Sequence, residues 1–143
     1  MDANMRFPTE RVDSTDFYLR RTALIFAAAV LVHGGDHLRR GLDASPAAVA
    51  VAGTIQAIVV VIAVVVVFQS TRWAAYAAMV TGFMSAALFI DAHVLPGFWT
   101  LSDSFVSEPH TEVNWFSWVT AALEIVAGIV FGVAGAHALR AAE

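Results

Sequence analysis

Six ionisable residues, His33, Asp36, His37, Asp91, His93 and Glu124, fall inside or at the mouth of stretches that otherwise read as hydrocarbon-soluble helix. A charge at the centre of a bilayer costs about 2.5–3.5 kcal/mol on insertion scales, so such groups are kept there with partners, a bound cation or water. His33 and His37 stand at i, i+4, which puts two imidazoles on one helical face within reach of a single metal ion. His93 offers a third imidazole, and Asp36 a carboxylate that either ligates or holds an imidazole in its coordinating tautomer. The expected metal set is therefore His33, His37, His93 and Asp36. Nitrogen and oxygen donors without sulfur favour zinc, iron, manganese or Cu(II) over Cu(I). The plainer alternative is a hydrogen-bonded network of His33, Asp36, Gln56 and Glu124 that does no more than fix helix packing.

Glu124 is the deepest carboxylate, a candidate proton carrier or general base, with Asp91 as a second acid-base group. Gln56, Trp115 and Trp118 are the candidate contacts for a bound organic cofactor or lipid-like molecule. Asp36 and Arg40, acid before base at i, i+4, are expected to pair. Gly34-Gly35 interrupts the histidine stretch and implies a kink or a tight crossing by a neighbouring helix.

These side chains need helices to hold them. With 59% apolar and 14% charged residues, the 143-residue chain lies far from the soluble balance. Its composition indicates an all-α polytopic membrane protein, an antiparallel four-helix bundle in one domain (residues 22–143). The spans are expected at about 22–41, 46–68, 72–94 and 113–139, with an outer loop over 95–112. Residues 1–21 read as a short amphipathic segment, cytoplasmic or interfacial, with Phe17 and Tyr18 beside Arg20 and Arg21 at headgroup level. Arg6, Arg11, Arg20, Arg21, Arg72 and Arg140 fall on one side if both termini are cytoplasmic, which places the chain in the cell membrane in that orientation. The Ala, Val and Arg usage suits a bacterial genome of high GC content.

Local signals mark the boundaries. Ser45-Pro46 reads as a helix start with serine as the cap, Gln69–Arg72 as a hairpin turn, Pro96-Gly97 as a stop, and Thr111 or Asn114 as the cap of the last helix. Gly128, Gly132 and Ala136 form a small-residue stripe for close packing, within the bundle or against a second copy. The loop acids Asp103, Glu108 and Glu112, with His110, either hand a cation to the pocket below or are simply solvated.

The polar residues all fall in the outer halves of their helices, so one outward-facing pocket is expected. Absent cysteine removes thiolate and disulfide chemistry, and no basic run points to nucleic acid. Four function classes stay open: a transition-metal site for lipid-like substrate chemistry or metal handling; haem or quinone binding; an accessory subunit, or homo-oligomer, within a larger membrane complex; and metal-free acid-base isomerisation of a sterol-like ligand by Glu124 and Asp91.

Overall fold

The computed structural model describes residues 8–41, 43–97, 99–107 and 111–142, with side chains described from residue 16 onward. The expectations placed on residues 1–7, on the side chain of Arg11, and on Glu108 and His110 lie outside the described residues. Four helices carry the chain: α1 (Pro8–Arg40), α2 (Ala47–Phe68), α3 (Ala74–Phe89, continued by a wider turn over Ile90–Val94) and α4 (Trp115–Ala141). Within them, Asp16–Arg40, Ala47–Phe68, Ala74–Val94 and Trp115–Ala141 are each long and apolar enough to cross a membrane. Helical structure in α1 begins well ahead of residue 22 and runs unbroken to Arg40.

The helix ends follow from residue chemistry. Gly41 closes α1 at φ +104°, a conformation that a side chain would strain. Leu95 precedes Pro96, whose ring pushes it to an extended ψ of 152°, and α3 stops there. The amide of Leu95 still bonds Ile90 O at 3.0 Å, an i to i+5 link that makes the last turn of α3 a π turn, so the helix loosens before Pro96. Asn114 caps α4 through a reciprocal pair with Ser117. Ser45 does not cap α2: Pro46 takes that position without a side-chain bond, and the Ser45 hydroxyl turns to the cluster described below.

Apolar packing occupies one half of the molecule. Leu19, Ala23 and Phe26 of α1 meet Val60, Ala63 and Val67 of α2, Ala74 and Ala78 of α3, and Ala127, Phe131 and Ala134 of α4. The Phe26 and Phe131 rings lie 5.5 Å apart at its centre. The glycine stripe of α4 is used inside the chain, where Gly82 sits against the backbone of Gly128 and Gly132. A Cβ at Gly82 would meet Gly128 O at 2.5 Å and also the backbone nitrogen of Gly132, with no flexible atom to yield. Gly82→Val is therefore expected to destabilise by at least the roughly 1–3 kcal/mol typical of overpacking, read as a lower thermal midpoint in detergent.

Gly34 and Gly35 behave differently from the expectation. The helix neither breaks nor kinks into another element there, and nothing lies within 4 Å of a Cβ built at either position. Gly34 instead thins one wall of a cavity between α1 and α2, and Gly34→Ala should raise the same midpoint, by up to the roughly 1 kcal/mol that alanine gains over glycine inside a helix.

Candidate metal centre

One face of α1 carries His33, Asp36, His37 and Arg40 at helical spacing, and the first, second and last of these are buried. His33 and His37 reach His93 at the end of α3. One ring nitrogen from each of the three lies within 4.8 Å of the others, the group among the described residues whose donors could share an ion. Ring centroids stand 4.8 Å apart for His33–His37, 5.0 Å for His33–His93 and 5.6 Å for His37–His93. Phe89 packs edge-on to His33 at 4.9 Å, and Phe105 lies 4.6 Å from His93, so aromatic walls confine the rings.

The loop after α3 completes the cluster because a helix end leaves carbonyls without partners. Asp103 N donates to Ala92 O and Phe105 N to His93 O, both at 2.9 Å, while His93 Nδ1 reaches Asp103 O at 3.0 Å. Arg40 then clamps the loop: its guanidinium donates to both carboxylate oxygens of Asp103 at 2.8 and 3.0 Å and to Thr111 O at 3.0 Å. Burial pushes the Asp103 carboxyl up, but hydrogen bonds from Arg40 and Ser45 together with the Arg40 charge outweigh it and hold the group below the usual range. Arg40 is thus the partner of Asp103, and the expected Asp36–Arg40 pair is not formed. Asp36 accepts from Arg39 Nε at 2.8 Å, and Arg39 goes on to Glu112 O and Ser117 Oγ.

Hydroxyl protons fix the tautomers. Thr120 Oγ1 donates to Ser117 O at 3.0 Å, so it accepts from His33 Nδ1, 3.2 Å away. Ser45 Oγ donates to Asp103 Oδ2 at 2.8 Å, so it accepts from His37 Nδ1 at 2.9 Å. His93 Nδ1 faces a carbonyl oxygen and must carry its proton. Every ring therefore carries its one proton on Nδ1 and keeps Nε2 as a lone pair. His33 Nε2 and His37 Nε2 are 3.1 Å apart, a separation at which two bare lone pairs repel unless a cation lies between them. Outward Nδ1–H bonds to oxygen acceptors are what orients metal-ligating imidazoles.

The other sequence candidates take distinct places. Glu124 is 1% exposed, accepts from Gln56 Nε2 at 2.9 Å through Oε1, and has no partner for Oε2. Both residues line, with His33 and His37, a cavity of about 330 Å³ between α1 and α2. Asp91 is half-buried and lines a smaller cavity of about 80 Å³ between α2 and the end of α3, with His37, Gln56 and His93. Trp115 is 74% exposed, Trp118 packs edge-on to Phe105 at 5.5 Å, and neither lines these two cavities.

Sequence reasoning missed the orienting role of three residues. Thr120 shares a helical stripe with Glu124 and so left a signal; Asp103 was one loop acid among several, and Ser45 had a simpler use as a cap. Thr120→Val should weaken metal binding about 10–100-fold by freeing the His33 ring, with helicity retained, as read by chelator competition. The chain matches no family model, no curated protein and no solved structure, so what this centre does must be read from its own atoms.

Proposed function

We propose that the chain is a multi-pass membrane protein, an antiparallel four-helix bundle with both termini cytoplasmic, that binds one transition-metal ion on His33, His37 and His93 and uses it on a lipid-like substrate. The observation that carries this reading is the convergence of three imidazoles whose Nδ1 protons are all committed elsewhere. A single proton could join two of these rings; a metal ion joins all three. Bonds of about 2.0–2.1 Å to one ion set imidazole nitrogens about 2.9–3.4 Å apart, and His33 and His37 stand at 3.1 Å.

Zinc suits the set best, because three imidazoles with an open fourth position are the pattern of catalytic rather than structural zinc. A bound zinc ion would supply Lewis acidity and an activated water near neutral pH. The chain's own part is to hold the rings through Thr120, Ser45 and Asp103, and to keep Glu124 in the same cavity wall as a proton acceptor. A polar cup of about 510 Å³, lined by Ser45, Asp103, Ser104 and Thr111, shares Ser45 with the apolar cavity and Asp103 with the bonds that hold His37 and His93. That division, polar on one side and apolar on the other, supports chemistry on a lipid-like molecule ahead of simple metal storage.

Haem is the weaker alternative. Three imidazoles in edge contact enclose an atom, while a porphyrin needs its axial rings held apart across a macrocycle. A docking subunit is disfavoured too, since His33, Asp36, Ser117, Thr120 and Glu124 are buried by this chain itself. Elemental analysis with an absorption spectrum, on protein purified without an affinity-metal column, is expected to find about one zinc per chain and no Soret band. Folded protein that takes up none of zinc, iron, manganese or copper on incubation would overturn the assignment.

A further inference from the structure

We propose that the cavity between α1 and α2 is a lateral port that admits, from the bilayer, a single-chain amphiphile with an uncharged hydroxyl at its polar end. The inference rests on the reading of the chain as a membrane protein and gives its substrate a chemical class.

The seam between α1 and α2 is filled where Leu19 to Phe26 join the core with Val60 to Val67, and is open beyond it, from Val30 and Ala57 up to His37 and Ser45. At one end Arg20 donates to Ser70 at 2.7 Å; at the other His37 bonds Ser45 at 2.9 Å. Between them Gly34 and Gly53 face open space, with nothing within 4 Å of a Cβ at either. The lining continues through Val30, Leu38, Val49, Ala50 and Ala57, and it ends on Gln56 and Glu124. Leu31, Val51, Ile55 and Ile58 on the outer surfaces of α1 and α2 are all exposed, so the two helices that flank the cavity present hydrocarbon-compatible faces. Thr54, the exposed polar residue of the lining, turns its hydroxyl back on Ala50 O at 2.9 Å, so an apolar chain entering from the acyl region meets no free hydroxyl proton there.

The inner end selects the polar group. Glu124 Oε2 is buried with no hydrogen-bond partner, although Oε1 is held by Gln56. A buried carboxylate oxygen left bare is costly, so an occupant that donates a hydrogen bond there is favoured. A hydroxyl meets this need and leaves its own oxygen beside the wall that carries His33 and His37. A hydroxyl both donates and accepts, so it serves Oε2 whether or not that carboxyl carries a proton, whereas an ionised carboxylate or phosphate head can only accept. The cavity, at about 330 Å³, is at the low end of small-molecule sites, which suits one chain and not a diacyl lipid.

The test uses the full-length protein in phosphatidylcholine nanodiscs with radiolabelled dodecanol as the probe, and measures bound probe, zinc content and helicity on each sample. Saturable binding is expected for the wild type. Gly53→Leu and Gly34→Leu, which grow side chains into open space, should each weaken it at least about tenfold with zinc and helicity retained. Glu124→Leu should erase the preference for dodecanol over dodecane. Unchanged binding in both glycine variants, or equal competition by dodecanoate, would overturn the port. Wild-type protein that binds dodecanol but no zinc would support the port and remove the metal assignment alone.

Discussion

Replacing His33 with alanine is expected to strip the metal from the protein while leaving the bundle assembled. His33 makes the two closest of the three ring contacts, and its Nε2 stands 3.1 Å from that of His37. Loss of a residue that merely orients a ligand costs about 10–100-fold in affinity, so loss of a ligand itself should exceed about 100-fold. The bundle survives because the apolar core lies in the other half of the molecule, around Phe26 and Phe131. Chelator competition gives the affinity directly. Thermal melts give it again: zinc at about 100 times its dissociation constant should add about 2.7 kcal/mol to the wild type and little to His33→Ala. His137→Ala, at an exposed position near the far end of α4, is the control expected to keep wild-type zinc content. Equal affinity in His33→Ala and the wild type would remove His33 from the ligand set.

Periodicity explains why much of this was legible before any coordinates. Hydropathy runs of this length read as helices because a segment crossing a bilayer must bond every backbone group within itself, and boundaries such as Leu95-Pro96 and Gly41 are set by single residues. His33 and His37 were legible for the same reason, since four residues on a helix is a distance in space. His33 and Glu124, on different helices, line one cavity, as a single pocket requires.

What periodicity could not give was any choice between two allowed partners. Asp36 can reach Arg39 at i+3 or Arg40 at i+4; the loop decides, because Asp103 takes Arg40 with both oxygens. Glycines at positions 34 and 35 read as packing or kinking devices, yet what they supply is empty space, which no local pattern marks. Asp103 lies in a segment without repeat, and its place follows only from the unpaired carbonyls at the end of α3.

That same loop residue should produce the largest stability change of any single substitution in the half of the molecule that holds the histidines. Asp103→Ala leaves the Arg40 guanidinium buried beside the Phe105 ring, 5.3 Å from its centroid, without a counter-charge. Removing one partner from a buried pair costs about 3–5 kcal/mol, most of it from the charge left behind. Adding Arg40→Leu removes that charge as well, and the double variant should regain much of the lost stability in a thermal or denaturant melt. Metal affinity should not follow it back. Ser45 loses the acceptor that fixed its hydroxyl, so nothing holds His37 in the tautomer that presents Nε2, and binding stays about 10–100-fold weaker in both variants. Stability that recovers without affinity would separate the two uses of Asp103, as half of a clamp and as the group that orients a ligand. Affinity that recovers in step with stability would mean the clamp is its whole contribution.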